Sequence, residues 1–204
     1  MIPMNLSESQ PVVIMGAGGH ALVLIEILRR LNATILGATT IHSEEQESIL
    51  GVPIIGGDEN IRRWSPSEIV LVNAIGMVAT GRTSRVVCAT QMRSLGYVFR
   101  SVIDPWALVS ESANLGEGCQ VMAGAIIQAN VTIGPDTIIN TGAKIDHDCY
   151  IARDCHICPG ATLTGGVNVG KGSVLSAGVV VVPEISIREN SFIKAGTVVK
   201  SNVT

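Results

Sequence analysis

The chain has 204 residues, room for one large or two small domains with a sizeable core. Its net charge of −3 and scattered lysines and arginines exclude nucleic acid or an anionic membrane surface as the main partner. With 47% apolar but only 3% aromatic residues and 22 glycines, the core is one of Val, Ile and Ala, suited to tightly stacked strands rather than a helical bundle.

The first ten residues, MIPMNLSESQ, carry no basic region followed by an apolar run, so they do not read as a signal peptide. No stretch approaches the roughly 20 apolar residues of a membrane span. Five cysteines without a secretory signal imply free thiols in a reducing compartment. The expected location is cytoplasmic.

Residues 11–100 alternate strand-like and helix-like segments. PVVIMG reads as a buried strand ended by glycine, and HALVLIEILRRLN as an amphipathic helix with Leu22, Ile25 and Leu28 at helical spacing. ATILGAT and EIVLVNAIG read as further buried strands, and GRTSRVVCATQMRSLGY as a second helix. This order predicts a small βαβαβ domain with a parallel sheet over residues 1–100.

GAGGHA (Gly16–Ala21) lies at the first strand-to-helix junction and matches the G-x-G-x-x-G/A phosphate-binding pattern. Glycines allow close backbone approach, and a helix N-terminus offers free N–H groups to any phosphate. A dinucleotide site also wants an acid at the end of the second strand, where this chain has Thr39–Thr40, so NAD is disfavoured. A tight turn without ligand is the plainer alternative.

From about residue 101 the period becomes six. Ile103, Val109, Leu115, Val121, Ile127, Ile133, Ile139, Ile145, Ile151, Ile157, Leu163, Val169, Leu175, Val181, Ile187, Ile193 and Val199 follow one another without a break. Four positions after each stands a small or β-branched residue, from Ala107 to Val203. Neither a helix nor an ordinary strand has this period; a parallel β-helix does. Three hexads close one triangular coil, so residues 101–204 predict between five and six coils.

The segment DHDCYIARDCHIC (residues 146–158) resembles a metal or redox cluster. The period sorts it: Cys149 and Cys155 fall on the small inward position, as does Cys119, where Cys behaves as a compact apolar residue. His147 and His156 fall near coil corners, and Cys158 is expected on the surface. Thiols inside a prism do not converge with outward histidines, so no metal is expected. His147 lies between Asp146 and Asp148, as suits a general base with a supporting carboxylate.

Together the hexad run, MGAGGHA, LVNAIG and NTGAKIDHDC...CHICPGATLTGGVNVG resemble the left-handed β-helix sugar acetyltransferases. The branch is that of the sialic acid O-acetyltransferases and the nucleotide-linked amino-sugar N-acetyltransferases. The resemblance implies a homotrimer using acetyl-CoA and no metal, with a sugar or nucleotide-sugar acceptor. It implies His147 as base, Asp148 as its acidic partner and His156 at the acetyl end of CoA. Ala177, Ala195 and Gly196 match positions along the CoA arm, and Gly18, Gly19, His20 and Gly76 the nucleotide-sugar site. An oxyanion donor would come from backbone N–H groups or Asn140. Relatives that bind a UDP-sugar have acids where this chain has Thr39, Thr40 and Ile41. They commonly end in a G-x-P-A-K/R segment, where this sequence reads KSNVT. The expected activity is acetyl-CoA-dependent N-acetylation of a nucleotide-linked amino-sugar for a surface glycan. The alternatives are O-acetylation of a sialic-acid-like sugar, a non-catalytic β-helix scaffold, and a zinc protein.

Overall fold

The structure, a computed structural model, describes residues 10–41, 47–77 and 82–204. The first nine residues, and Gly81 of the second predicted helix, lie outside the described residues. The chain separates into two compact units, one ending at Val102 and the other running Ile103–Thr204.

The first unit is built on a parallel sheet of β1 (Val12–Met15), β2 (Ile35–Thr39) and β5 (Val70–Asn73), in the order β2-β1-β5. A bridge from Leu71 to Phe99 extends its far edge. All four residues of β1 are buried, the expected state of a central parallel strand. Helix α1 (Gly19–Arg30) buries Ala21, Leu24, Ile25, Ile27 and Leu28. Leu22, expected on that face, is 41% exposed; the buried stripe passes through Ala21 and Leu24 instead. Asn32, in a left-handed conformation (φ 53°), ends α1, and Asn32 and Ala33 return N–H bonds to Arg29 and Leu28. Between β2 and β5 lie an unanticipated hairpin, β3 (Ser48–Ile49) and β4 (Val52–Pro53), and a 3-10 helix, Asp58–Arg63. Helix α2 (Arg82–Ser94) follows β5.

The second unit is a parallel β-solenoid. Its two-residue strands stack into three faces, each strand pairing with one 18 residues on, as Ile127 pairs with Ile145. The first face holds Gln120–Val121, Ile138–Ile139, His156–Ile157, Val174–Leu175 and Phe192–Ile193, and begins at Val102–Ile103. The second runs from Leu108–Val109 through Lys144–Ile145 to Val198–Val199, and the third from Asn114–Leu115 through Tyr150–Ile151 to Ser186–Ile187. The second residue of each strand is the aliphatic of the hexad and points inward, so the apolar column is continuous through the coils. Ile103, Val109, Leu115 and Ile193 are only partly buried, because an end coil is covered from one side only.

Two further regularities hold the turns. Every sixth residue from Gly118 to Gly196 has φ near +60° to +70°, and all but Glu184 are Gly, Asn or Asp, the residues that tolerate this region. At the small inward position, hydroxyls and thiols donate to the carbonyl 15 residues on: Thr137 to Ala152, Ser173 to Arg188, Cys119 to Gly134, Cys149 to Thr164 and Cys155 to Gly170. These cysteines therefore do more than fill space. Each gives a donor to a turn carbonyl of the next coil.

Candidate active site

In the first unit, Gly18 precedes α1 with no side-chain cap, and its carbonyl accepts the Ala21 N–H at 2.9 Å, so the strand-to-helix turn is closed by backbone alone. Gly18 and Gly19 are exposed, and His20 is the second residue of α1. Gly16 has φ +98°, and a Cβ there would stand 3.2 Å from Ala74 C and Ile75 N, so the loops after β1 and β5 pass at close range. The second loop carries the exposed Gly76. Buried Asn73 shapes it, accepting from the Ile75 N–H at 3.1 Å and donating to the Arg85 carbonyl at 3.2 Å. Arg85 Nη1 returns bonds to the Asn73 and Ile75 carbonyls at 2.7 and 2.9 Å. The chain moves from β1 to β2 on one side and on to β5 on the other, so these loops flank the topological switch point, where parallel sheets bind ligands. Gly18, Gly19, His20 and Gly76 thus share one end of one sheet.

Sequence reasoning missed Asp58. The buried Thr39 hydroxyl, at the end of β2, accepts from the Gly16 N–H at 3.2 Å and donates to Asp58 Oδ1. The acid absent from the strand itself is brought to its end by the 3-10 helix, 19 residues away, and nothing in local spacing signals this.

In the solenoid, His147 and Asp148 occupy the turn between the second and third faces. Asp148 takes the left-handed position (φ 60°). His147 Nδ1–H donates to Asp148 Oδ2 at 2.7 Å, and Asp148 Oδ1 accepts from Asn130 Nδ2 at 3.1 Å. Asp146 accepts the His147 backbone N–H at 2.8 Å. The side chains of His147 and Asp148 remain 61% and 57% exposed. The bond to Asp148, then the charge of Asp146, hold the His147 pKa above its usual value. Bonds from His147 and then Asn130 hold Asp148 below the usual carboxylate range. With Nδ1 committed to the carboxylate, Nε2 is the nitrogen left to take a proton.

His156 is not at a corner, as expected from the hexad phase, but on the outer side of the first face, the first residue of its strand, because its neighbour Ile157 fills the inward position. Asn140 Oδ1 accepts from the Thr141 N–H at 2.7 Å, which directs Asn140 Nδ2 to donate to His156 Nε2 at 3.0 Å. Ala177, Ala195 and Gly196 lie in the turns that leave this same face. Ala177 and Ala195 stand one coil apart, joined by a Gly196 N–H bond to the Ala177 carbonyl at 3.0 Å, and all three are exposed. The structure therefore brings His156, Ala177, Ala195 and Gly196 to one side of the prism. In a triangular coil the His147 turn is the corner opposite that face.

Cys155 and Cys158 are held as thiols. Burial pushes Cys155 up to about 12 and Cys158 up to about 11, far from the thiolate that metal binding or redox exchange requires. Cys158 is half-buried rather than on the surface as expected, because the coils stack over the first-face turns. Among the described residues no group of three or more His, Cys, Asp or Glu is placed to hold a metal ion.

Residues 11–83 match the PglD N-terminal domain, and residues 112–147 and 131–165 match the bacterial transferase hexapeptide model of six repeats. The fold superposes on a point mutant of perosamine N-acetyltransferase from Caulobacter crescentus in complex with CoA and GDP-perosamine with a TM-score of 0.87. Identity is 36%, covering 95% of this chain and 90% of that one. The chain belongs to the left-handed β-helix sugar acetyltransferases.

This acetyltransferase is also similar to the acetyltransferase domain of PglB from Neisseria gonorrhoeae FA1090 in complex with acetyl coenzyme A, at 30% identity and TM-score 0.86, covering 96% of this chain and 93% of that one. WeeI from Acinetobacter baumannii AYE, at 16% identity and TM-score 0.69 over 95% of this chain and 93% of its own, shares the fold. No curated protein matches the acetyltransferase significantly. No helix among its described residues is long and apolar enough to cross a membrane.

Proposed function

We propose that this enzyme transfers an acetyl group from acetyl-CoA to the amine of a nucleotide-linked amino-sugar, in the cytoplasm, for assembly of a surface glycan. The observation that carries the reading is the His147–Asp148 pair at 2.7 Å, on a His147 side chain that is 61% exposed. Its support is the similarity to perosamine N-acetyltransferase over 95% of the chain.

Acetyl-CoA supplies the thioester carbonyl. His147 Nε2 takes the proton that the sugar amine loses as its nitrogen bonds to that carbonyl, and Asp148 stabilises the imidazolium that results; the C–S bond then breaks, and the CoA sulfur leaves as the thiol with the proton that His147 returns. Gly18, Gly19, His20 and Gly76, at the switch point, hold the nucleotide-sugar diphosphate at the positive N-terminal end of α1, where glycines allow close backbone approach. The exposed small residues Ala177, Ala195 and Gly196 leave room for the CoA arm along the turns of the first face, with His156 and Asn140 toward its acetyl end. His147 and His156 sit on opposite sides of one coil. A site using both needs the His147 corner of one copy against the first face of another, as in a homotrimer.

The test is thiol release from acetyl-CoA with GDP-, UDP- and dTDP-linked 4-amino-sugars and free sialic acids as acceptors. Release with a nucleotide-linked amine, and N-acetyl product by mass spectrometry, is the expected result. Release with sialic acid alone would replace N- by O-acetylation, and no binding of acetyl-CoA by calorimetry would reduce the protein to a scaffold.

A further inference from the structure

We propose that Asn130 and Gly165, one coil before and one coil after the turn of His147 and Asp148, are positioning residues for that pair. The proposal rests on the acetyl-transfer reading above. Neither residue belongs to the hexad's apolar or small positions, and neither touches the acceptor's proton. Each acts through His147.

Asn130 fixes the carboxylate. Its Nδ2–H holds Asp148 Oδ1 at 3.1 Å, so Oδ2 is the oxygen left to receive His147 Nδ1–H at 2.7 Å. Asn130 is itself held from the preceding coil, its backbone N–H donating to Ser112 Oγ at 3.1 Å. With both oxygens engaged by different donors, the exposed Asp148 side chain has one orientation rather than several. An exposed ion pair without such support loses much of its attraction to side-chain freedom and solvent.

Gly165 supplies the space. A Cβ there would stand 2.7 Å from His147 Cε1, 2.9 Å from Nε2 and 3.4 Å from Nδ1. Two turns of the solenoid could explain a glycine by conformation, but not this one. Gly166 carries the left-handed φ of +71°, whereas Gly165 does not need it. The equivalent positions one coil either way are His147 and Pro183, so the repeat does not call for glycine here. What calls for it is the imidazole lying across it.

The charged groups around the ring are Asp146 and Asp148, both from its own turn. The coil before contributes Asn130, and the coil after contributes Gly165 and Gly166, none of which titrates. A change at Asn130 therefore reaches the His147 titration through the Asp148 carboxylate, and one at Gly165 by displacing the ring from that carboxylate or by adding to its burial, both of which lower the midpoint.

The variants are Asn130→Gly and Gly165→Ala. Glycine keeps the left-handed turn at 130 (φ 63°) and removes only the amide, and alanine at 165 meets no backbone strain. Two readouts are taken: the pH profile of kcat/KM, and an NMR titration of the His147 ring, which needs no acetyl transfer. The plateau of kcat/KM is expected to fall about 100-fold in Gly165→Ala, the scale of a displaced catalytic group, and about tenfold in Asn130→Gly. In both, the His147 midpoint moves to lower pH as the ring loses its carboxylate. A purely structural role would lower the melting temperature and leave that midpoint in place. An unmoved midpoint in both variants overturns the proposal, and in one variant it removes that residue. Should Gly165→Ala fail to fold, the Asn130→Gly titration decides. A midpoint that moves in an enzyme transferring no acetyl group would overturn the functional reading and leave this one standing.

Discussion

His147 and Asp148 are adjacent in the chain, yet their side chains meet at 2.7 Å. Neighbouring residues in an extended strand point to opposite faces. Here the left-handed conformation of Asp148 (φ 60°) folds the chain back at the corner and returns the carboxylate to the preceding ring. In the proposed mechanism, the residue that the solenoid uses to turn is also the one that orients the base. Replacing His147 by Ala is expected to lower kcat roughly 10²- to 10⁴-fold, the range for a lost general base. Thermal melting should not move, because the ring packs no core; a variant with normal turnover would remove His147 from the mechanism.

The pH dependence follows from the same bond. The neutral ring is the active form, and Asp148 followed by Asp146 raises the pKa above 6.5. Activity is therefore lost on acidification through a midpoint higher than that of an ordinary histidine. In Asp148→Asn the midpoint falls, so the acid limb moves to lower pH while the plateau drops. The pH profile of kcat/KM, backed by NMR titration of the ring, checks both signs.

At the sheet end proposed to hold the nucleotide, Thr39 links the Gly16 N–H to Asp58. Thr39→Val keeps the shape of this buried side chain and removes both bonds. The expected outcome is a several-fold rise in KM for the nucleotide-sugar, with KM for acetyl-CoA and kcat unchanged. Steady-state kinetics with each substrate varied in turn would show it, and an equal effect on both KM values would place Thr39 outside the nucleotide site.

If the active site joins two copies, activity divided between copies is recoverable. His147→Ala and His156→Ala homo-oligomers, each impaired, should regain part of the wild-type rate when dissociated, mixed and reassembled. The rate assay and light scattering for the mass of the assembly are the measurements. No recovery in a trimeric mixture would place His147 and His156 in separate functions.

Stability should track position along the prism. Ile157 is fully buried between coils, whereas Ile193, near the end, is only partly buried. Ile157→Ala is expected to cost about 2–5 kcal/mol, the usual toll of a core cavity, and Ile193→Ala clearly less. Cys155→Ser should be nearly neutral, since its hydroxyl can keep the bond to the Gly170 carbonyl as Ser173 does to Arg188. Chemical denaturation of the three variants measures the order.

The two units were legible in the sequence for different reasons. In the solenoid each residue's surroundings repeat every six positions, so inward Ile157 and the small Cys155 could be read from phase alone. The left-handed turn residues were legible too, as the Gly, Asn or Asp three after each aliphatic from Gly118 to Asn190, with Glu184 the exception. In the first unit the strands were readable as apolar runs. The burying face of α1 was shifted from Leu22 to Ala21 and Leu24, because the exposed Leu22 and Val23 are as apolar as the buried residues beside them. The phase placed His156 at a corner when it stands on a face, since a hexad has only two face residues and its limits are off by one without the hydrogen bonds.

By itself, then, the sequence determined what repeats: a period of six, an aliphatic inward column, small fillers, and a histidine between two aspartates that interrupts the pattern. It could do so because those features depend on residue type and spacing alone. Only the tertiary structure decided which residues share a site. Asp58 reaches Thr39 across 19 residues, Asn130 reaches Asp148 across 18, and Gly165 clears His147 by lacking a single carbon. Each is a contact made through stacking or a loop return, where directions of side chains, not their order in the chain, settle who meets whom.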